Sequence, residues 1–130
     1  MREIKFRAWN SNNNEMLSDD YLKVEGYHLS DFDSTGGMIF MQFTGLKDKN
    51  GKDIYEGDIC VYTDSKENKK GFVRFDGGRF EIGKHNGYGG DWDDLGMLLH
   101  NYWNNKEAQN SFKVIGNIYE NKELLENEDE

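Results

Sequence analysis

The hydrophobic pattern begins with an alternation of apolar and charged residues within residues 2–9. Apolar side chains take every second position and charged side chains the positions between them: Ile4, Phe6, Ala8 and Glu3, Lys5, Arg7. A period of two residues predicts a half-buried strand. Residues 10–14 are a polar turn, and residues 15–17 begin a short return strand. Residues 18–37 carry little pattern and are interpreted as a short strand followed by a loop over 31–37.

The middle of the chain predicts strands joined by glycine turns. Residues 38–44 are continuously apolar, which indicates a strand buried on both faces or nearly so. The next strand covers residues 59–63, and the stretch between the two strands is a double turn built on Asn50-Gly51 and Glu56-Gly57-Asp58. This double turn is the segment around which the chain is organised.

The second half of the chain begins with a wholly polar stretch, residues 64–70, which is predicted to be a solvated connection. Residues 71–75 and 79–83 flank Asp76-Gly77-Gly78 and form the clearest hairpin. Residues 106–110 are predicted to be a loop, and residues 112–119 a last strand. Asn121 is placed to cap a short terminal helix that contains Leu124 and Leu125, before an acidic tail.

One longer helix is predicted, over residues 92–104. Its apolar positions follow the helical period: Trp92, Leu95, Leu99 and Tyr102. Asp91 is placed as the N-cap, with Asp93 and Asp94 in the first turn, where the helix dipole favours acids. Short strands, glycine turns and one helix together predict a mainly β fold, a small antiparallel barrel or sandwich.

Composition limits the function classes. A length of 130 residues fits one compact domain with a small appendage. The mean hydropathy of −0.94 leaves no membrane span, and no apolar segment follows the charged first residues, so a cytoplasmic protein is expected. The net charge of −9 argues against sequence-independent binding of phosphate backbones and suits a basic partner surface.

Metal sites find little support in the sequence. Asp48-x-Asn50-Gly51-x-Asp53 resembles a calcium loop, because alternate oxygen ligands suit that ion. An EF-hand loop, however, needs glycine at its sixth position and glutamate at its twelfth, where this chain has Asp53 and Ile59, so a solvated turn is predicted. The histidines are scattered and indicate no zinc site: His28, His85 and His100.

Catalytic constellations are also weak. Asp91, Asp93 and Asp94 would suit metal-assisted hydrolysis, but helix-start acids explain them locally. Cys60 is interpreted as a small buried hydrophobe rather than a catalytic thiol. Residues 87–90 are glycine-rich but lack the ending of a phosphate loop. No catalytic, cofactor-binding or metal-binding residue is therefore assigned, no cofactor is expected, and the chain is not expected to be an enzyme.

Two further sets of side chains allow a nucleic-acid hypothesis. An aromatic platform for stacking bases would use Trp9, Tyr62, Phe72 and Tyr88, although core packing is the favoured role of these rings. A modest basic patch is formed by Lys66, Lys69, Lys70 and Arg74, and a solvated loop is its simpler interpretation.

Three sequence blocks together resemble the YopX family of phage and prophage proteins of low-GC Gram-positive bacteria. The first block is Ile4–Trp9, the second runs from Met41 to Ile59, and the third from Val114 to Asn121. The family usually has an acidic residue after the first tryptophan and proline after the final asparagine. This chain has Asn10 and Lys122 there, which affects local caps and leaves the resemblance intact.

The resemblance implies an SH3-type barrel and oligomeric assembly, and it implies no activity. The barrel is placed over residues 44–122 with the helix inserted, after an N-terminal β segment over 1–43 and before an acidic tail over 123–130. The glycines of the second block, and Asp58 beside them, are explained by turn roles: Gly45, Gly51 and Gly57.

Three functions are carried forward. The first is a phage or prophage accessory protein that acts without catalysis, as an oligomer or through a host or phage protein partner. The alternative is a nucleic-acid-associated SH3-like barrel module, although the acidic net charge disfavours nucleic acid. An enzyme is third, and would need converging ionisable groups in a deep pocket.

Overall fold

Two antiparallel sheets build the fold in the computed structural model, which describes residues 3–24, 37–84, 92–99 and 106–126. The strands among these residues are β1 Phe6–Asn10, β2 Glu15–Leu17, β3 Met38–Lys47, β4 Asp53–Tyr55, β5 Asp58–Asp64, β6 Glu67–Asp76, β7 Arg79–Gly83, β8 Asp93–Asp94 and β9 Lys113–Asn117. The first sheet has the order β2-β1-β3-β4 and the second β8-β7-β6-β5-β9. The protein is mainly β, and one sheet curls into a half-barrel, as predicted.

Short helices fill the connections: α1 Asp19–Val24, α2 Leu95–Leu99, α3 Lys106–Ser111 and α4 Glu123–Glu126. None of the helices in the described ranges is long and apolar enough to cross a membrane. The prediction of a helix from residue 92 is wrong at its start, because Asp93 and Asp94 pair with β7 as β8. The Asp94 carboxylate accepts a hydrogen bond from the Met97 N–H at 3.1 Å and so caps α2. Asp91 and residues 100–104 lie outside the described residues.

Two other helices replace predicted irregular or extended segments. Residues 19–24 form α1 rather than a short strand, because the Ser18 hydroxyl accepts a hydrogen bond from the Tyr21 N–H and Leu22 is buried. Residues 106–110 belong to α3 rather than to a loop. Ala108 of α3 is fully buried in the core, so tertiary packing holds a segment whose own pattern is weakly helical.

The predicted solvated connection over residues 64–70 is wrong. Ser65 and Lys66, with φ of 53° and 64°, form a two-residue turn, and β6 begins directly after it. The double turn between β3 and β5 also contains a strand that the pattern did not indicate, since β4 pairs with β3. The predicted β6–β7 hairpin, the residue 10–14 turn and the last strand are confirmed.

β3 is not buried on both faces, contrary to the prediction. Ile39, Met41 and Phe43 lie on one face of the strand, and Ile39 is 39% exposed while the other two are buried, so this face is open at the start of β3. The strand runs across the predicted domain boundary at residues 43 and 44, and that boundary stays a prediction.

The main core lies on one face of the second sheet and under α2 and α3. Its largest fully buried side chains include Phe112, Ile82 and Leu95. Ala8, Leu17 and Leu22 form a smaller core against the first sheet. The two sheets contact each other between these two cores, and that contact region is the first candidate site.

Candidate functional site

A buried ion pair connects the two sheets. The Arg7 guanidinium of β1 donates to Asp58 Oδ1 at 2.7 Å and to the Glu56 carbonyl at 3.2 Å. Asp58 Oδ2 accepts a hydrogen bond from the Tyr55 N–H at 2.8 Å, and the same guanidinium lies 4.7 Å from the Tyr55 ring centre. Burial raises the pKa of Asp58, and the Arg7 charge opposes that rise. We call these four residues, Arg7, Tyr55, Glu56 and Asp58, the sheet joint.

The three sequence blocks meet at and beside the sheet joint. Trp9 of the first block stacks on Tyr119 of the third, with ring centres 5.9 Å apart. The Ile118 N–H donates to the carbonyl of Gly57 in the second block at 2.8 Å. Gly57 has a φ of +87°, which favours glycine, and a Cβ added there would lie 3.2 Å from Met41 Sδ. These contacts hold the fold together. They explain the residues of the three sequence blocks without a catalytic role.

Asp48 is buried rather than solvated, which corrects the turn prediction. Asp48 is 7% exposed. Its carboxylate accepts hydrogen bonds from the N–H groups of Asn50, Lys52 and Val114, at 2.9, 2.9 and 3.0 Å. Asp53 instead binds Lys5 and Lys47, at 2.7 and 2.6 Å. The two carboxylates of the calcium hypothesis therefore have separate protein partners. Within the described ranges, no group of three His, Cys, Asp or Glu residues is placed to hold a metal ion.

The remaining candidate residues are dispersed or buried. Cys60 is fully buried as predicted, and burial raises the pKa of its thiol. Trp9, Tyr62 and Phe72 are each at least nine-tenths buried, so these three do not form an open stacking platform. The other candidates lie outside the described residues: His28, His85, His100, Tyr88 and residues 87–90.

The predicted basic patch is divided. Lys69 lies 3.7 Å from Asp64 and 3.4 Å from Asp93, whose carboxylate also accepts the Tyr62 hydroxyl hydrogen at 2.6 Å. Arg74 pairs with Glu81 at 3.1 Å and lies 3.6 Å over the Trp92 ring. Lys69 and Arg74 therefore belong to different clusters.

Two grooves mark the surface of the described residues. The first, which we call the sheet groove, has a volume of about 560 Å³ and is lined by Val61, Tyr62, Thr63, Asn68, Lys69, Lys70, Lys84, Ser111, Ile115 and Leu124. A smaller cavity of about 240 Å³ shares Tyr62, Asn68 and the three lysines and adds Glu67, Gly83 and Asp93. The larger volume lies within the range of about 300–1,000 Å³ that is typical of ligand pockets, and the smaller one lies below it.

The second groove, which we call the hairpin groove, lies between the end of β3, the β6–β7 hairpin and the start of α2. Its volume is about 480 Å³, and its lining includes Leu46, Phe75, Phe80, Arg79 and Asp94. Phe75 is 48% exposed and contacts Phe80 edge to face, with ring centres 4.9 Å apart. A half-exposed aromatic ring on a groove is a feature that partner surfaces commonly use.

Sequence analysis missed the sheet groove. Ile115 reaches it because β9 carries an extra residue opposite the Ile59–Cys60 step of β5, and Leu124 comes from α4. A register shift of this kind leaves no mark in the alternation of one strand. The terminal Leu124-Leu125 pair was the only available signal for this wall of the groove.

Comparisons with known proteins agree with this architecture. A family model described as YopX protein matches residues 5–126. The crystal structure of protein EF1440 from Enterococcus faecalis is similar, with 26% sequence identity and a TM-score of 0.59, covering 96% of this chain and 99% of that one. No curated protein matches the chain. The match over nearly the whole chain leads to one conclusion: this protein belongs to the YopX family.

Proposed function

We propose that this protein is a non-enzymatic interaction module that assembles with copies of itself and binds a host or phage protein in the bacterial cytoplasm. The phage or prophage setting rests on the family resemblance. The observation that carries the assembly part is the hairpin groove, where Phe75 keeps 48% of its surface exposed beside Leu46 and Phe80. Aromatic anchors of this kind supply much of the binding energy at protein interfaces.

Electrostatics favour this groove as the contact between copies. Two chains of net charge −9 repel each other, so a stable contact needs a surface of low net charge. The hairpin groove contributes one cation and one anion, Arg79 and Asp94, which lie 3.5 Å apart. An apolar contact there brings two acidic molecules together at a surface of balanced charge.

The non-enzymatic part is supported by how the ionisable side chains are used. Arg7 pairs with Asp58, Lys5 with Asp53, and Arg74 with Glu81. These charges stabilise the fold through one another, whereas catalytic groups converge on a reacting atom in a pocket.

Light scattering after size-exclusion chromatography tests the assembly. We expect the wild-type protein to have a molar mass above that of one 15.2 kDa chain at micromolar concentration. Phe75→Lys should yield the monomer, because it removes an apolar anchor and places a charged group in a surface that the contact would bury. Val24→Lys is the matched control, since Val24 is 81% exposed and lies on α1.

A wild-type protein that is strictly monomeric would contradict the assembly. If Phe75→Lys keeps its fold by circular dichroism and still forms the same oligomer, the hairpin groove is not the contact between copies. The nucleic-acid alternative has weaker support, because Lys69 and Arg74 of the predicted patch are paired with acids.

A further inference from the structure

The strand β9 is the longest edge strand in the described part of the chain. The first sheet ends in β2 and β4, and the second in β8 and β9. The strands β2, β4 and β8 have three, three and two residues, and each carries at least one carboxylate. β9 has five residues, of which Lys113 alone is charged. Natural sheets protect an edge by short strands or by charge, because its unpaired N–H and C=O groups otherwise pair with another chain. Apart from Lys113, β9 has neither protection in its own sequence.

A turn from a distant part of the chain takes the place of a neighbouring strand. The Val114 N–H donates to Asp48 Oδ2 at 3.0 Å. The Lys49 N–H donates to the carbonyl of Phe112, the residue before β9, at 2.9 Å. A side-chain oxygen and a backbone N–H thus satisfy backbone groups of this edge that a neighbouring strand would otherwise bond. Asp48 and Val114 are 66 positions apart, so this protection comes from tertiary structure.

The other end of β9 is closed in a similar way. The Asn117 N–H donates to the side-chain oxygen of Asn121 at 3.1 Å. That oxygen lies 2.5 Å from the position that a Cβ on Gly116 would take, so the amide lies tightly against the strand. The extra residue of β9, Ile115, forms a bulge between the two closed ends. Bulges also disfavour pairing at a sheet edge.

The turn over residues 48–52 is closed by its own hydrogen bonds. Asp48 Oδ1 accepts from the N–H groups of Asn50 and Lys52, both at 2.9 Å, and the Asp48 carbonyl accepts from the Gly51 N–H at 3.0 Å. Gly51 has a φ of +82°, a conformation that favours glycine. Residues 49–52 are exposed. Exposed turns of this kind are segments that open locally while the rest of a fold stays intact.

We propose that this turn, residues 48–52, is an edge lock: it closes the outer edge of β9, and its opening exposes that edge to strand pairing. The partner of the open edge is β9 of a second copy of this chain, paired antiparallel about a two-fold axis. The edge lock involves no residue of the hairpin groove, so the proposal does not rest on the proposed function.

The sequence of β9 suits pairing with itself. Val114 and Ile115 are β-branched, which favours strands. In an antiparallel register centred on Ile115, Lys113 of each copy lies opposite Asn117 of the other, so the two like charges lie at opposite ends. The net charge of −9 opposes the approach of two copies, but exposed charges more than about 8 Å apart are largely screened at physiological ionic strength. Added salt should therefore promote the pairing.

Amide hydrogen exchange of the Val114 N–H, measured by NMR on the full chain, tests the lock. Gly51→Ala should accelerate this exchange by about fivefold or more, because the strained turn opens more often. Gly78→Ala is the matched control, since its φ of +85° is close to that of Gly51 and nothing lies within 4 Å of an added Cβ at either position. The control should change Val114 exchange by less than about twofold, because the β6–β7 turn is not part of the lock.

Asp48→Ala tests the pairing, in a Phe75→Lys background that removes the hairpin-groove contact. Phe75→Lys/Asp48→Ala should have a molar mass above that of one 15.2 kDa chain by light scattering, increasingly so at higher protein concentration. Protection of the Val114 N–H should return with concentration, because a carbonyl of the second copy replaces the lost acceptor. Phe75→Lys/Asp76→Ala is the matched control and should remain a single chain, since the Asp76 side chain is 66% exposed. If Asp48→Ala loses its fold by circular dichroism, Phe75→Lys/Gly51→Ala keeps the carboxylate and is measured in the same way.

Two kinds of result would overturn the inference. Equal acceleration of Val114 exchange by Gly51→Ala and Gly78→Ala, or none by either, would show that the turn does not open on its own. A lock variant that stays a single chain at every concentration and salt, or that associates without protecting the Val114 N–H, would exclude β9 as the pairing surface. If the wild-type protein is a monomer, the assembly in the proposed function fails, and the same measurements on the edge lock are made without Phe75→Lys.

Discussion

At the scale of single residues, Asp48 of the motif that resembles a calcium loop binds backbone N–H groups through its carboxylate. Three N–H groups from two separated segments donate to its carboxylate, including that of Val114 on the last strand. Burial alone would raise the pKa of Asp48, but these donors stabilise the ionised form and lower it from 3.8. The carboxylate thus accepts hydrogen bonds from backbone N–H groups, where the calcium hypothesis would have it bind a cation.

Asp48→Asn should therefore lower the free energy of unfolding at pH 7 by about 1–3 kcal/mol, because one carboxylate oxygen becomes an amide that faces a backbone N–H. Urea denaturation measures the loss. Asp76→Asn is the control: its side chain is 66% exposed, and a change within about 0.5 kcal/mol is expected. A loss as small as that of the control would contradict a structural role for the carboxylate.

The same carboxylate gives a pH dependence of known sign. The pKa of Asp48 is lower in the folded than in the unfolded state, so its stabilisation is fully present above pH 3.8 and is lost as pH falls through the lowered folded-state value. The difference in unfolding free energy between wild type and Asp48→Asn should shrink over that acidic range. A difference that is constant from pH 7 to pH 2.5 would contradict this assignment.

At the scale of elements, each of the two hairpins of the second sheet has a turn with two positive φ angles, and the two turns use different residues. The β6–β7 turn uses Gly77 and Gly78, whose φ values are 64° and 85°. The β5–β6 turn uses Ser65 and Lys66 at 53° and 64°, a left-handed conformation that costs L-residues about 1–2 kcal/mol each. The first turn was visible in the sequence, and the second was hidden by its polar side chains.

Ser65→Asn/Lys66→Gly should stabilise the protein by about 0.5–1 kcal/mol, because asparagine and glycine suit a turn with two positive φ angles. The Lys66 N–H bonds to Glu107 are retained, since they come from the backbone. The midpoint of urea denaturation should rise.

Gly78→Ala provides the opposite case. Nothing lies within 4 Å of an added Cβ there, so its expected loss of about 1 kcal/mol isolates backbone strain. If Ser65→Asn/Lys66→Gly and Gly78→Ala change the unfolding free energy in the same direction and by the same amount, the turn assignment is contradicted.

At the scale of the whole molecule, the sheet joint holds the two sheets together through the Arg7–Asp58 pair. Both side chains are at least 88% buried, so neither charge is well solvated if the other is removed. Arg7→Met should lower the unfolding free energy by about 3–5 kcal/mol, because it leaves the Asp58 charge buried without its partner. Thermal or urea unfolding measures this.

Lys47→Met is the matched control within one sheet. Lys47 pairs with Asp53, but its side chain is 60% exposed, and such pairs contribute up to about 1 kcal/mol. Burial raises the pKa of Asp58. Lowering the pH through that raised value should therefore reduce the loss of unfolding free energy in Arg7→Met. Similar losses in the two variants would show that the joint is not the main tie between the sheets.

The sequence by itself determined the β class, the first and last strands, the β6–β7 hairpin and the family. Each of these is local: alternation, a glycine turn, or a block of adjacent residues. Tertiary structure alone decided that β6 starts at Glu67, that β4 pairs with β3, and that Asp48 is buried. It also decided α1 and α3, because short helices depend on the core that they cover.

The candidate sites divide in the same way. The double turn was identified as the organising segment, but only the fold brought its Asp58 to Arg7 and its Asp48 to Val114. The sheet groove was decided wholly by tertiary structure, because lysines from β6 and from the end of β7, a bulged isoleucine and a terminal-helix leucine meet there. Contacts between residues distant in sequence follow from strand register and sheet curvature, which the periodicity of a single strand does not contain.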